Sequence, residues 1–454
     1  MNTPAIFPGQ SLNDWLSYLE TIHSRAVDPG LERMVRVADL MDLSPLKKSR
    51  IVTVTGTNGK GSVTNLLAAC LRAAGYSCNL YNSPHLFRFN ERITVNGVHV
   101  SDQELLESFN HVEELRVRSG VTLTFFEFTT LAAFEIFARR SADFLVMEVG
   151  MGGRYDSVNL LDAELAVITN VALDHTAFLG SSREDIGYQK VGILRRGAHL
   201  LYGEEDIPES VLKETLLLEA GLTLAGRDYR ISFKEAANAD PAGGAMRGGI
   251  KDRRTGQSSA VFDFSSRNFS LTDVFCPSIP CSNAAMVLAA IDILKVNIAP
   301  AHAREIIAGF SMPGRFQKVA DSPSVYVDVG HNPHAFAYLI RRLEALKSGR
   351  PDLRFYAVVG MLRDKNYSSA LNMLAQHVSG LYLATLTGPR GETSDNLARA
   401  VTVQNCHVSS YNNAVQAYEA AMARAGAEGD AAVLVAGSFL TAQAVLEHLG
   451  LTDA

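Results

Sequence analysis

A chain of 454 residues exceeds what one hydrophobic core readily organises, so two domains are expected. Hydrophobic residues make up 47% and charged residues 20%, a globular balance that argues against long solvated tails. A formal net charge of −6 with no long Lys/Arg run leaves no electrostatic footprint for nucleic acid or an anionic membrane, and no apolar run nears the ~18 residues of a membrane span.

The opening stretch, Met1 to Gln10, lacks the basic-then-apolar pattern of a secretory signal, and a cytoplasmic monomer is expected. The first element is an amphipathic helix over Leu12 to His23. From Ile51 onward, β-rich runs alternate with segments of helical length, the pattern of an α/β domain with a mainly parallel sheet. Strands are predicted at Ile51 to Thr55, Ser77 to Tyr81, Phe144 to Val149 and Leu165 to Thr169, and helices at Lys60 to Ala74, Phe125 to Arg140 and Arg183 to Leu194. Asp240 to Ser259, rich in Gly, Arg, Asp and Ser, reads as an exposed loop between strands of a peripheral sheet. A helix over Asn283 to Lys295 ends before Pro300, which puts the domain boundary near Asn297 and divides the chain into 1–296 and 297–454. Strands near Ser324 to Val329, Phe355 to Gly360, Gly380 to Ala384 and Ala432 to Ala436 follow. The expected fold is a P-loop-containing, doubly wound N-terminal domain plus a smaller Rossmann-like α/β domain.

The five cysteines are odd in number and scattered, with no C-x-x-C pair, so buried or incidental thiols are expected rather than a disulfide or a zinc site. The chemistry concentrates elsewhere. Ile51-Val-Thr-Val-Thr-Gly-Thr-Asn-Gly-Lys-Gly-Ser62 is a strand running into a Gly-rich turn and then a helix, a layout in which backbone N–H groups surround phosphate oxygens. Lys60 is placed to reach the terminal phosphates. The spacing differs from a strict Walker A pattern, and such a turn could by itself be structural. Glu148 ends an apolar strand at the carboxyl edge of the sheet, where α/β ligand sites lie. Ser83 and His175 also follow predicted strands, although a solvated Glu, Ser or His would read the same way in isolation.

The string Gly56-Thr-Asn-Gly-Lys-Gly-Ser62, with Ser83-Pro-His-Leu86 and Asn90-Glu-Arg92, resembles the folylpolyglutamate synthase family of the Mur ligase superfamily. The resemblance continues through Thr124-Phe-Phe-Glu-Phe128, Glu148-Val-Gly-Met-Gly-Gly-Arg-Tyr-Asp156, Asp174-His175, Lys190-Val-Gly-Ile193, Pro313-Gly-Arg-Phe316, Asp328-Val-Gly-His-Asn-Pro-His334 and Asp364-Lys365, and it spans nearly the whole chain. Trp15-Leu-Ser-Tyr-Leu-Glu20 and Val27-Asp-Pro-Gly-Leu-Glu-Arg33 are similar to the bifunctional bacterial members. Pro29 and Tyr155-Asp-Ser157 stand where Leu and Leu-Asp-Ala would be expected.

The resemblance implies an ATP-dependent ligase that adds L-glutamate to dihydropteroate or to reduced folates through an acyl phosphate. It implies nucleotide contacts from Thr57, Asn58, Gly59, Lys60, Gly61, Ser62, Asn283, Arg315 and Asp328, with Lys60, His175 and Lys190 as catalytic residues. It further implies Mg²⁺ ligation by Ser83, Glu148 and His175, and carbamylation of Lys190, which would turn a cation into an anionic oxygen donor. Val27, Asp28, Pro29, Gly30, Thr124, Phe125, Phe126, Glu127, Tyr155, Asp156, Ser157 and His331 are implied in substrate binding, and the C-terminal domain in holding glutamate. Phe125 and Phe126 could face a flat ring or simply begin a core helix. Two other readings share a P-loop. A cell-wall ligase would carry a further domain before it, and a nucleotide-gated switch would not need the Ser83, Glu148 and His175 set.

Overall fold

The computed structural model describes residues 11–234, 250–251 and 258–452. Local sequence explains most element starts. Ser11, Ser101, Thr124 and Ser182 each cap a helix and accept the N–H of the residue three further on, whose carboxylate returns to the cap N–H. The first helix, Leu12–Leu19, stops four residues short of the predicted His23. It anchors Trp15, fully buried against Phe109 and Phe128 with ring centroids 5.8 and 6.1 Å away.

The chain divides into two compact units. The first comprises 1–230, 266–269 and 282–306; the second comprises 231–265, 270–281 and 307–454. The first is built on an eight-stranded sheet whose centre is Arg50–Thr55, paired in parallel with Phe144–Glu148 on one side and Leu165–Ile168 on the other. Cys78–Tyr81 lies beyond Phe144–Glu148, and His199–Tyr202 and Gly221–Leu224 extend the opposite edge. The chain passes from the central strand to Cys78–Tyr81 on one side and later from Phe144–Glu148 across to Leu165–Ile168 on the other, and the crevice at this change of side opens at the carboxyl end of the central strand. Helices Lys60–Ala73 and Phe125–Arg139 cover the sheet, and Leu66, Leu67, Phe128, Leu131, Phe134 and Phe137 are fully buried. Burying such a side chain contributes about 2 to 3 kcal/mol relative to leaving it in water.

The second unit carries a six-stranded sheet ordered Gln317–Asp321, Ser324–Val327, Ala431–Ala436, Arg354–Val359, Gly380–Ala384 and His407–Tyr411, parallel except for its first edge strand. A three-stranded sheet of Arg230–Phe233, Val261–Ser265 and Ser270–Phe275 stands apart from it. Most of the expected loop Asp240 to Ser259 lies outside the described residues. Within that span, Ile250–Lys251 and Ser258–Ser259 pair as a short antiparallel ladder.

The cysteine expectation needs correction. Cys276, just past the strand Ser270–Phe275, and Cys281, the first residue of the helix Cys281–Ile293, form a disulfide with Cα atoms 5.7 Å apart. The intervening Pro277-Ser-Ile-Pro280 turns the chain back on itself, which a search for C-x-x-C pairs does not detect. Cys70, Cys78 and Cys406 remain buried thiols, and burial pushes Cys70 and Cys78 up to about 12.

Candidate active site

The turn after Arg50–Thr55 runs from Gly56 to the cap residue Gly59, and Lys60, Gly61 and Ser62 form the first turn of the helix Lys60–Ala73. Gly59 adopts φ +84° as the helix cap, and Gly56 has φ +150° with its α-carbon against Thr169, so side chains are excluded at both. The neighbouring strand end holds the loop backbone. Asn170 Oδ1 accepts the N–H groups of Thr57 and Asn58 at 3.2 and 2.9 Å, and Thr169 Oγ1 donates to the Asn58 carbonyl at 2.6 Å. Lys60 Nζ lies over the loop, donating to the Gly56 carbonyl at 3.0 Å. Asn283, from the helix Cys281–Ile293, sits against Gly59 so closely that an added β-carbon would lie 2.7 Å from its Nδ2.

Glu148 terminates its strand in register with Val54, and its Oε2 accepts the Ser83 N–H at 3.2 Å. The carboxylate is buried, with the half-buried Arg92 guanidinium in its electrostatic neighbourhood. Arg92 in turn donates through Nε to His85 Nδ1 at 2.9 Å. Burial and the Arg92 charge push His85 down to about 4, so the imidazole is a neutral acceptor. The backbone of Ser83 thus meets the Glu148 carboxylate, and a hydroxyl and a carboxylate are hard oxygen donors of the kind Mg²⁺ accepts. Among the described residues no group of three or more His, Cys, Asp or Glu side chains is placed to hold a metal ion. A cation here would rest on Glu148 and Ser83 and draw its remaining oxygens from phosphate or water, as Mg²⁺ commonly does. His175 takes a left-handed conformation at φ +50° before the short helix Thr176–Leu179, and its N–H donates to Asp174 Oδ1 at 2.8 Å.

Lys190 lies on the helix Arg183–Val191 and, unlike a solvated surface lysine, is only 3% exposed. Burial pushes its ammonium well below the usual lysine range; the charge of Lys60 adds to this, and Asp174 and Asp156 oppose it. Asp156, also buried, is pushed up to about 6 by desolvation, although its carboxylate accepts the N–H groups of Met151 and Val158 at 2.9 and 3.1 Å. Lys60, Asp156, Asp174 and Lys190 therefore form one electrostatic neighbourhood.

The other expected binding residues fall into three groups. Val27, Asp28, Pro29 and Gly30 form an irregular segment tied to Thr124 and Glu127 through Arg33, which donates to Asp28 and to Glu127 Oε1 at 2.8 Å. Phe126 rests on Gly150, where an added β-carbon would lie 2.7 Å from its ring, and Phe125 lies under the Arg92 guanidinium at 5.5 Å. Ser157 is buried beside Asp156, whereas Tyr155 is 53% exposed. In the second unit, Asp328 is buried just past the strand Ser324–Val327, and it accepts the N–H groups of Phe316 and Gly330 at 2.8 and 2.7 Å. Burial raises its carboxyl above the usual range, with Arg315 as the main opposing charge. The Arg315 guanidinium lies 5.4 Å from the Phe439 ring centre, and His331 Nδ1 is 3.1 Å from the Val329 carbonyl.

Sequence reasoning assigned no role to Thr169, Asn170 or Arg33. The first two lie more than a hundred residues from the loop they hold. Arg33 closes the quoted segment Val27-Asp-Pro-Gly-Leu-Glu-Arg33, and an arginine following two acidic residues was the available signal.

A glycine-rich phosphate loop at the central strand of a parallel sheet, with a buried carboxylate at the adjacent strand end, defines a nucleotide-dependent group-transfer fold. Residues 54–291 match the Mur ligase middle domain, and residues 314–439 match the Mur ligase glutamate ligase domain. The chain is 39% identical to the Escherichia coli dihydrofolate synthase/folylpolyglutamate synthase over 438 residues, covering 96% of this chain and 95% of that one. Escherichia coli FolC in complex with DHPP and ADP superposes with a TM-score of 0.87 at 36% identity, covering 98% of this chain and 99% of that one. A bifunctional folylpolyglutamate synthase/dihydrofolate synthase with Mn, AMPPNP and L-glutamate bound gives a TM-score of 0.84 at 35% identity, covering 99% and 100%. The chain belongs to the dihydrofolate synthase/folylpolyglutamate synthase family of Mur ligases.

Proposed function

We infer that this chain is an ATP-dependent ligase that joins L-glutamate to dihydropteroate, and to the γ-carboxylate of tetrahydrofolate or its polyglutamates. The observation that carries the reading is the phosphate loop with Lys60 following one strand and Glu148, bound to the Ser83 N–H, at the end of the adjacent strand, in a chain alike along its whole length to ligases solved with ADP, AMPPNP and L-glutamate. The acceptor carboxylate takes the γ-phosphoryl group of ATP and ADP leaves. The glutamate amine then attacks the acyl carbon, phosphate departs and the amine loses a proton. Phosphoryl transfer needs positioning and charge neutralisation above all. In this reading Lys60 and the loop N–H groups neutralise the transferring phosphoryl, with Thr57, Asn58, Gly59, Gly61, Ser62 and Asn283 around the nucleotide and Arg315 and Asp328 as further nucleotide contacts. Ser83, Glu148 and His175 would hold Mg²⁺, which when bound supplies charge neutralisation at the phosphates. Val27 to Gly30, Thr124 to Glu127, Tyr155 to Ser157 and His331 take the substrates, with the first unit as the ATP-binding part and the second, rather than everything after Asn297, as the glutamate-binding part.

Carbamylation of Lys190 belongs to the same reading. Its amine adds CO₂ and releases a proton, and the burial that disfavours its ammonium form favours the neutral nucleophile this requires. Intact-protein mass spectrometry should find one acid-labile adduct of CO₂, absent from Lys190→Ala; equal masses before and after acid would reject it. The function itself is tested by phosphate release, which should require both dihydropteroate and glutamate. ATP turnover independent of either would favour a nucleotide-gated switch.

A further inference from the structure

Val27 to Gly30 belongs to no helix or sheet, so backbone hydrogen-bond ladders do not fix its position. What holds it is a circuit of side chains. Arg33 Nη1 is 2.7 Å from Asp28 Oδ2, and Arg33 Nη2 donates to the Asp28 carbonyl as well as to Glu127 Oε1 at 2.8 Å. The other Glu127 oxygen, Oε2, accepts the Thr124 N–H at 2.7 Å. On the far side, His23 Nε2 is 3.2 Å from Asp28 Oδ2, and His23 Nδ1 is 2.8 Å from Thr122 Oγ1. Thr122, His23, Asp28, Arg33, Glu127 and Thr124 thus link two segments that lie 94 residues apart at the Arg33 to Glu127 bond.

We propose that Arg33 is a positioning residue that registers the segment Val27 to Gly30 against the helix start Thr124 to Glu127 and thereby sets affinity for the aromatic acid acceptor. The proposal rests on the reading above that these two segments receive the acceptor. Its chemistry is the forked guanidinium. One planar group meets two carboxylates at once in a rigid fork, fixing distance and angle together, whereas the rotatable donors of an ammonium can reach two carboxylates without fixing the angle between them. Glu127 is 5% exposed and already caps its helix, so it is a rigid post. Arg33 and Asp28 are 23% and 22% exposed, so the ring sits at the margin of the unit rather than in its core. A link of this kind acts by preorganising a binding segment, and its loss appears as weaker binding of the one substrate the segment touches.

The test is steady-state kinetics of the full chain and of Arg33→Gln, Arg33→Lys and Asp28→Asn, with dihydropteroate, glutamate and ATP varied in turn. Losing about one charge-assisted hydrogen bond of preorganisation should raise the dihydropteroate KM of Arg33→Gln on the order of tenfold, and by more than kcat falls. The ATP and glutamate KM values should stay within about twofold, with Arg33→Lys intermediate. Equal rises in all three KM values, or none, would overturn the proposal. If Arg33→Gln does not fold, Asp28→Asn carries the test, because it weakens the same bond while leaving Glu127 paired. Failure of the wild-type chain to use dihydropteroate would overturn the functional reading and this inference together. Wild-type turnover with unshifted variants would overturn this inference alone.

Discussion

Replacing Gly59 by Ala probes the join between the phosphate loop and the helix that delivers Asn283. Gly59 holds φ +84°, and an L residue in left-handed backbone costs about 1 to 2 kcal/mol. The new methyl carbon would also stand 2.7 Å from Asn283 Nδ2, 3.0 Å from Oδ1 and 3.2 Å from Cγ, so this buried amide must move. Displacing it from its packed position adds about 1 kcal/mol, giving roughly 2 to 3 kcal/mol in all. The chain's one tryptophan, Trp15, is fully buried in the first unit, so its fluorescence during urea unfolding reports that unit directly. The expected result is a lower unfolding midpoint together with an ATP KM raised at least about tenfold. In the Gly59→Ala/Asn283→Ala double variant the steric part should be relieved and the backbone part should remain, a coupling of about 1 kcal/mol. Gly59→Ala within about 0.5 kcal/mol of wild type and with unchanged ATP KM would refute the reasoning.

Lys60→Ala should abolish ligation while leaving the Trp15 unfolding curve close to wild type, because its Nζ contacts loop carbonyls rather than the core; near-normal turnover would remove Lys60 from the reaction. Glu148→Gln should shift the Mg²⁺ titration of activity to higher concentration, since an amide oxygen is the poorer ligand for a hard cation, and an unchanged titration would count against it. Asp156 binds its proton more tightly when folded, with a value of about 6 against 3.8, so its contribution is most favourable below pH 4 and declines as pH rises towards 6. Relative to Asp156→Asn, wild-type stability should fall by up to about 3 kcal/mol between pH 4 and pH 7, and parallel profiles would contradict the burial argument. Thiol titration of the denatured, unreduced chain should find three reactive cysteines, rising to five after reduction; five from the outset would exclude the Cys276 to Cys281 bond.

The phosphate loop was legible because its signal is local: a β-rich run, glycines where the backbone must turn, and a helix beginning at Lys60. Glu148 was legible for a related reason, since the carboxyl end of a buried strand has one outcome in a parallel sheet. What holds these residues in place was not legible. Asn170 reads as an ordinary strand-end amide until the strands Arg50–Thr55 and Leu165–Ile168 are paired. Lys190 reads as a surface residue because Arg183–Val191 is charged along its length, and only the fold shows its side chain buried and Gly153 packed against its carbonyl. The bond between Cys276 and Cys281 depended on how two prolines fold a five-residue step, which no count of cysteines contains.

The first unit is written in the gene as separate stretches, and its last piece, 282–306, is specified only after most of the small three-stranded sheet of the other unit. A ribosome therefore exposes the whole phosphate loop well over two hundred residues before it releases Asn283, the side chain that closes over Gly59. During that interval the nascent chain carries a loop that lacks its covering amide, and the helix Cys281–Ile293, buried on nearly every face, has yet to enter the core that awaits it. Vectorial synthesis thus postpones completion of this nucleotide cradle until the chain has left the first unit and come back to it.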